Sequence, residues 1–244
     1  MHCIPKRVHV SWPDKNILSS DHPMVQMGLA RLREMNPDWK IDISDDQDVD
    51  LYLKKCLGSR DYDLIKDRHV VEKSDLWRLF KIYREGGLYV DVDRFCNREL
   101  DGMIEHNTRW VLPTCLDADF SQDIMLSYPD NPAYYEAILL AIERRRAGQQ
   151  SIYFLGPQTY MHAITKSLLG RMVDSHPGPQ IFQQIRKTIS RMPFIQIYRE
   201  HPPYDTIIYQ HDPQDDITPE LENWEMLKRD FYVQSGLRHW SGEW

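Results

Sequence analysis

The sequence predicts an α/β fold in which a mainly parallel central sheet is flanked by helices. The first observation is an alternation of strands and helices: a strand at 4–12, a helix at 22–36, a strand at 39–44 and a helix at 47–57. The second is residues 73–93, which combine a helix, a glycine pair and a strand. Alternation of this kind is typical of parallel strands that are covered by crossover helices.

Length and composition limit the class of protein. The 244 residues are enough for one domain with a full core, so we expect a single domain over 1–244. A net charge of −7 argues against binding nucleic acid through general electrostatics. No signal peptide or membrane span is visible, and a soluble cytoplasmic protein is expected. The four cysteines lack metal-site spacing and are expected to be buried free thiols.

The segment 73–93 carries the clearest pattern in the chain. Ser74 is a candidate N-cap for its helix, although the helix can also begin one or two residues earlier. Gly86 and Gly87 are expected to end it, because glycine adopts the left-handed conformation found at helix C-termini. One apolar stripe follows the helical period: Leu76, Leu79, Phe80 and Tyr83.

The strand that follows brings two carboxylates together. Asp91 and Asp93 repel each other, and a divalent cation such as Mn²⁺ or Mg²⁺ is a natural counter-charge for oxygen ligands. A solvated turn without an ion is the alternative. Asp75 and Arg78 are helical i, i+3 neighbours beside the apolar stripe and add polar groups suited to a phosphorylated ligand. Two sets of side chains alternate along the strand: Leu88, Val90 and Val92 on one face, and Tyr89, Asp91 and Asp93 on the other.

These residues carry a family resemblance. The pattern Ser74-Asp75-x-x-Arg78 followed by Gly86-Gly87-x-Tyr89-x-Asp91-x-Asp93 resembles the DXD sugar-binding region of glycosyltransferase family 32. The resemblance implies a GT-A fold, a nucleoside-diphosphate-sugar donor of the UDP or GDP type, and transfer with retention of anomeric configuration. It also implies that Asp91 and Asp93 hold the metal, while Asp75 and Arg78 contact the donor sugar and phosphate.

Both ends of the chain extend this resemblance. Residues 4–12 are similar to the family's first strand, and they end in Trp12, which is expected either to stack on the nucleotide base or to fill the core. The closing residues 238–244 are similar to the family's donor-covering segment, although Arg238 and Glu243 depart from its pattern. The resemblance makes His239 a third metal ligand and Trp244 a donor contact. A frayed terminus is the alternative.

The second half of the sequence is expected to complete the sheet. Strands are predicted at 110–112, 123–127, 194–198 and 206–209, with a helix at 132–147. Residues 153–159 resemble the family's Thr-Gly-Pro turn into a helix, with Leu155 replacing the threonine; the free backbone N–H groups of such a turn can face a ligand. Carboxylates at Asp117, Asp119 and Asp123 can contact an acceptor sugar or remain solvated.

The resulting hypothesis is a metal-dependent glycosyltransferase that passes a sugar to a glycan or another hydroxyl acceptor. Residues 1–100 would form the donor half, and 101–244 the acceptor half with a C-terminal lid. Two alternatives stay open: a binding module for nucleotide sugars without catalytic activity, and a metal-dependent phosphohydrolase, which also uses clustered carboxylates. The sequence makes no prediction of oligomeric state.

Overall fold

The computed structural model describes residues 3–94, 99–115, 119–120, 122–171, 178–200 and 223–237. Within these ranges, no helix combines the length and the apolar character needed to cross a membrane. The strand predicted at 206–209 and the closing segment 238–244, with His239 and Trp244, lie outside the described residues.

Within the described ranges, seven strands form one sheet. Their bounds are β1 (Arg7–Ser11), β2 (Lys40–Ser44), β3 (Gly87–Val90), β4 (Trp110–Cys115), β5 (Asp119–Phe120), β6 (Ile124–Ser127) and β7 (Ile195–Glu200). The strands predicted from the alternating patterns are therefore confirmed within the described ranges, and β5 is an addition that the sequence analysis did not predict.

Helices surround this sheet. The first helical stretch consists of α1 (Pro23–Val25), a π-helical turn (Gln26–Ala30) and α2 (Arg31–Met35). The later helices are α3 (Asp46–Tyr62), α4 (Val70–Glu85), α5 (Leu100–Met103), α6 (Pro132–Arg146), α7 (Ile152–Leu155), α8 (Pro157–Leu169), α9 (Gly178–Ile189) and α10 (Trp224–Ser235). Helix α3 runs past its predicted end, but Gly58 interrupts it with φ 68° and ψ 171°, where the sequence predicts a stop.

The strand order is β2-β1-β3-β6-β4-β5, with β7 paired to β4. Strands β2, β1 and β3 are mutually parallel, as predicted, because helices cross over between them. The pairs β3/β6, β4/β6 and β4/β5 are antiparallel, whereas β4/β7 is parallel. The α/β class is confirmed, but the sheet is mixed, because the links joining β4, β5 and β6 are too short for parallel crossovers.

Two apolar clusters cover the two faces of the sheet. Leu88 and Val90 of β3 pack into a cluster with α2 and α10, whereas Tyr89 packs into the cluster formed by α3, α4, α6 and α8. The alternation predicted for this strand is therefore confirmed. The free thiols differ from their prediction, since Cys3 is exposed ahead of β1 and Cys56 is only partly buried.

Helix α4 begins earlier than predicted. His69 is its N-cap, and its Nδ1 accepts a hydrogen bond from the backbone N–H of Val71 at 3.3 Å. Ser74 lies one turn inside the helix, so its prediction as the cap is wrong. The imidazole supplies the acceptor that the first turn needs, and the Ser74 hydroxyl instead hydrogen-bonds Oγ of Ser11 at 2.7 Å.

The glycine pair ends α4 as predicted. Gly86 has φ 65° and Gly87 has φ 92°, a conformation that other residues rarely adopt. A Cβ on Gly86 would lie 2.8 Å from the ring of Pro129, and one on Gly87 would lie 2.5 Å from the carbonyl oxygen of Arg7. These close approaches fix the end of α4 against β1 and place the residues after β3 at the carboxyl edge of the parallel strands.

Candidate active site

The two DXD carboxylates follow the end of β3. The strand ends at Val90, and the backbone N–H of Asp91 donates to the carbonyl of Asp123 at 2.9 Å. The chain then turns, with the N–H of Arg94 bonded to the carbonyl of Asp91 at 3.3 Å. Because of this turn, the side chains of Asp91 and Asp93 have different surroundings.

Asp91 contacts a buried guanidinium. Nη1 of Arg78 lies 3.4 Å from Oδ1 of Asp91, and the hydroxyl of Tyr89 donates to the same carboxylate oxygen. The Asp91 side chain retains 31 % of its exposure, whereas that of Arg78 retains 9 %. Arg78 also lies 4.5 Å from the centre of the Tyr89 ring, a cation–π arrangement. Arg78 and Tyr89 therefore hold the Asp91 carboxylate on its buried side, while the rest of the side chain stays partly exposed.

Asp75 supports Arg78 from the opposite side. Its Oδ1 lies 3.1 Å from Nη2 of Arg78 and accepts a hydrogen bond from Nε2 of Gln122 at 3.3 Å. Nη1 of Arg78 donates to the carbonyl of Gln122 at 3.2 Å. Burial raises the pKa of Asp75 to about 6, with Arg78 lowering that pKa and Asp91 raising it further. Asp75 and Arg78 therefore act as one buried unit behind Asp91.

The Gly156-Pro157 turn packs on this unit. A Cβ on Gly156 would lie 2.8 Å from Cγ of Asp75, so only glycine fits there. The N–H of Gly156 donates to the carbonyl of Ile152 at 2.9 Å and is therefore not free for a ligand, whereas a ligand contact by the other N–H groups of this turn stays a prediction. The short helix α7 takes up this group. Leu155, which replaces the family's threonine, is buried.

Asp93 contacts helix α10. Nζ of Lys228 lies 3.1 Å from its Oδ2, and the hydroxyl of Tyr232 donates to that oxygen at 3.4 Å. Asp93 is 6 % exposed. Burial is the main cause that raises the pKa of Tyr232, and the charges of Asp93 and Asp91 add to it. The second carboxylate of the motif therefore already has a protein cation beside it.

A cavity of about 260 Å³ opens above Asp91. Its wall includes apolar and polar groups: Trp12, Pro13, Val49, Ser11, Ser74 and Arg78. Trp12 is 9 % exposed, and its ring stacks on Phe231 of α10 with centroids 5.0 Å apart. The expectation that Trp12 packs in the core is confirmed, and its stacking on a base stays a prediction, although the indole borders the cavity at the strand ends.

Asp91 and Asp93 have the ligand chemistry of a hard divalent cation. Asp91 offers a partly exposed carboxylate beside the cavity, while Asp93 already pairs with Lys228. Among the residues that the structure describes, no group of three or more His, Cys, Asp or Glu side chains is arranged to hold a metal ion. The carboxylate oxygens of Asp91 and Asp93 fit such an ion. The Lys228 ammonium has to move away from Asp93 for Asp93 to be a ligand.

The acidic loop is described only in part. Asp117 and the side chain of Asp119 lie outside the described residues. Asp123 is ion-paired with Arg94, which follows the DXD turn. A carboxylate held in this way serves the site's structure, so the expectation that Asp123 contacts an acceptor gains no support.

Several residues of the site had no role in the sequence analysis. Tyr89 lay within the recognised motif, and its alternation with Asp91 was the signal for their shared face. The remaining contacts to the motif come from distant segments: Gln122, Gly156, Lys228 and Tyr232. The signal in α10 was the helical spacing of Lys228, Phe231 and Tyr232, which places them on one face.

Comparison with known proteins shows which class of protein this chain resembles. Residues 22–110 match the family described as glycosyltransferase sugar-binding region containing DXD motif. The fold is similar to that of the solved structure titled PaToxG Glycosyltransferase, with TM-score 0.50, 15 % identity and coverage of 77 % of this chain and 76 % of that one. The match at 22–110 confirms the predicted family resemblance, and the structural likeness confirms the GT-A-like fold.

Two yeast proteins are among the relatives of this chain. The chain is 26 % identical over 141 residues to inositol phosphoceramide mannosyltransferase 1 of Schizosaccharomyces pombe, a match that covers 57 % of this chain and 43 % of that protein. It is 25 % identical over 140 residues to mannosyl phosphorylinositol ceramide synthase SUR1 of Saccharomyces cerevisiae, covering 55 % and 34 %. The chain therefore spans less than half the length of these relatives.

Proposed function

We propose that this chain is a glycosyltransferase that moves a sugar from a nucleoside-diphosphate sugar to a hydroxyl group of an acceptor. The observation that carries the proposal is that buried Asp75 and Arg78 support the partly exposed Asp91 beside the cavity, within a matched sugar-binding region. Directed carboxylate and guanidinium groups at the floor of a partly apolar cavity suit a ligand with hydroxyls, phosphates and an aromatic base.

The donor is proposed to lie in this cavity. The apolar side at Trp12 suits the base, and Arg78 lies where it can neutralise diphosphate or bind sugar hydroxyls. The lining residues belong to the first 92 positions except for Tyr232 and Leu237. This distribution supports 1–100 as the donor half. The assignment of 101–244 to the acceptor and a lid, and the roles of His239 and Trp244, stay predictions.

Asp91 and Asp93 are proposed to hold Mn²⁺ or Mg²⁺, and His239 to complete the set. Such an ion supplies Lewis-acid stabilisation of the diphosphate leaving group. Tyr89 and Arg78 orient the Asp91 carboxylate from below. Fixed groups of this kind stabilise developing charge without having to reorganise during the reaction.

The reaction breaks the bond between the anomeric carbon and the diphosphate oxygen, which leaves with the electron pair. The acceptor hydroxyl oxygen forms the new bond and gives its proton to the departing diphosphate oxygen. Positive charge develops on the sugar ring during this step, and carboxylates near the ring would stabilise it. Arg78 offsets the negative charge on the departing diphosphate. Retention of configuration is proposed from the family resemblance.

The names of the relatives narrow the first substrates to test. Both yeast proteins are named for mannose transfer to an inositol phosphoceramide. We therefore propose mannose as the first donor sugar, and a hydroxyl of an inositol phosphate as the first acceptor. Other hexoses and pentoses, on UDP or GDP, complete the donor panel.

The test is a donor screen with Mn²⁺, Mg²⁺ or EDTA that records both nucleotide release and glycoside formation. The matched variants are Arg78→Lys, which keeps the charge, and Arg84→Ala, which removes an exposed arginine from the same helix. Sugar transfer by wild type and Arg84→Ala, with strong loss in Arg78→Lys, supports the proposal. Donor binding without turnover by any acceptor favours the binding module, and release of phosphate from simple esters favours the phosphohydrolase.

A further inference from the structure

Helix α10 is fixed at the DXD motif by two aromatic anchors. Trp224 is 1 % exposed, and its ring approaches Gly28 in the π-helical turn. Phe231 stacks on Trp12. Lys228 lies between these anchors on the same helical face, one turn from Trp224 and nearly one turn from Phe231. Its position at Asp93 is therefore set by the packing of the helix.

The Lys228–Asp93 pair differs from the protein's surface ion pairs. Its nitrogen–oxygen distance is 3.1 Å, and the two side chains keep only 10 % and 8 % of their exposure. In the pair between Lys166 and Glu136 the side chains keep 48 % and 36 %. Exposed pairs exchange readily with water and salt, whereas a buried carboxylate requires a counter-charge at all times.

Among the described residues, the acidic and basic side chains that contact one another around the motif are nearly equal in number. Four carboxylates, Asp75, Asp91, Asp93 and Asp123, contact three cations, Arg78, Arg94 and Lys228. At full ionisation these seven described groups together carry one negative charge. A divalent cation added alone would give these groups a net positive charge. A diphosphate that enters with the cation adds two further negative charges and offsets it. The balance therefore favours entry of the two ligands together.

We propose that Lys228 is the resident counter-cation of Asp93 and competes with the divalent metal for that carboxylate. The ammonium leaves Asp93 when a nucleoside diphosphate is present, because its phosphate oxygens offer an alternative acceptor. Metal and nucleotide consequently bind with positive coupling, and each raises the affinity of the other by the same factor. This inference rests on the proposed metal–nucleotide site and adds to it a specific role for α10.

The test measures Mn²⁺ binding from the electron paramagnetic resonance signal of free Mn²⁺, with GDP or UDP present or absent and their chelation in solution subtracted. In wild type, nucleotide is expected to tighten Mn²⁺ binding about tenfold. Lys228→Met is expected to bind Mn²⁺ alone about tenfold more tightly than wild type and to lose most of the coupling. Lys166→Met is the matched control and should behave like wild type.

Two further measurements keep the test decisive if Lys228→Met is poorly folded. Mn²⁺ should raise the unfolding midpoint of Lys228→Met more than that of wild type, since it replaces the missing cation. The double variant Asp93→Asn/Lys228→Met lacks both charges, and its midpoint should not respond. Equal Mn²⁺ affinity in wild type and Lys228→Met, or no rescue of an unstable Lys228→Met, would overturn the inference. Failure of sugar transfer with the Lys228→Met effect intact would count against the proposed function alone.

Discussion

Gly156 packs directly against the carboxylate of Asp75. A Cβ at position 156 would overlap Oδ2 of Asp75 and lie 2.8 Å from its Cγ. The turn between α7 and α8 therefore closes the buried side of the unit that holds Asp91. The turn at Gly156, which lies far from Asp75 in the sequence, thus limits the space available to the Asp75 carboxylate.

Gly156→Ala is expected to lower the free energy of unfolding by about 1–3 kcal/mol, because the methyl group forces Asp75 or the turn to move. Denaturant unfolding measures the change. Gly102→Ala is the control, since a Cβ there meets nothing within 4 Å in helix α5 and alanine favours helix formation. Equal stability of Gly156→Ala and wild type would show that the turn relaxes without cost.

Asp75 is expected to make stability depend on pH. Burial raises its folded-state pKa from 3.8 to about 6, so the folded protein binds the proton more tightly than the unfolded chain. Stability from this group is complete below pH 4 and is lost as the pH rises to about 6. The total is about 3 kcal/mol, from a shift of about two pKa units.

The measurement for Asp75 is the unfolding free energy of wild type minus that of Asp75→Asn, determined in EDTA between pH 3.5 and about 8 to span the titration. This difference should fall between pH 4 and 6 and be flat outside that window. Subtraction removes the contribution of the other titrating groups. A difference that does not vary with pH would mean that Asp75 titrates near its ordinary value in the folded protein.

Much of this site was predictable from sequence because its central pattern is local. The helix, the glycine pair and the alternating strand lie within 73–93, so periodicity predicted these elements, and the family resemblance grouped Arg78 with Asp91. The cap at His69 was missed because imidazole is an uncommon cap, and serine is a preferred one. The contacts of Lys228 with Asp93 and of Gly156 with Asp75 join distant segments. Only the folded chain brings these together.

Arg78→Ala is expected to lower both activity and stability. The side chain is buried and contacts Asp75, Asp91 and the carbonyl of Gln122. Its removal leaves carboxylates without their counter-charge, a change that costs about 3–5 kcal/mol in buried pairs. If Arg78 served only to contact the donor, this variant would unfold normally. Thermal and denaturant unfolding of the variant, compared with Arg84→Ala, separates the two expectations.

A second buried charge pair predicts a stability effect away from the site. Arg145, in the basic run that ends α6, is ion-paired with Glu72 of α4, and the two side chains keep only 7 % and 6 % of their exposure. Burial lowers the pKa of the Arg145 guanidinium. A basic run at a helix C-terminus is by itself typical of a favourable interaction with the helix dipole, whereas the structure gives one member a tertiary role between two helices.

Glu72→Gln is expected to lower the free energy of unfolding by about 3 kcal/mol or more, because it leaves the Arg145 charge buried without an opposite charge. Arg145→Met should cost a similar amount by leaving Glu72 buried, although Arg68 also contacts Glu72 at 3.1 Å and offsets part of that cost. The double variant should lose less than the sum of the two single losses, since each single variant leaves one charge unpaired. Denaturant unfolding of the wild type, the two single variants and the double variant gives the coupling energy between Glu72 and Arg145. The control substitution is Arg146→Met, at an exposed arginine that pairs with Asp61. It is expected to lower the free energy of unfolding by about 1 kcal/mol or less. Additive losses in the Glu72 and Arg145 variants would contradict a direct charge interaction between the two helices.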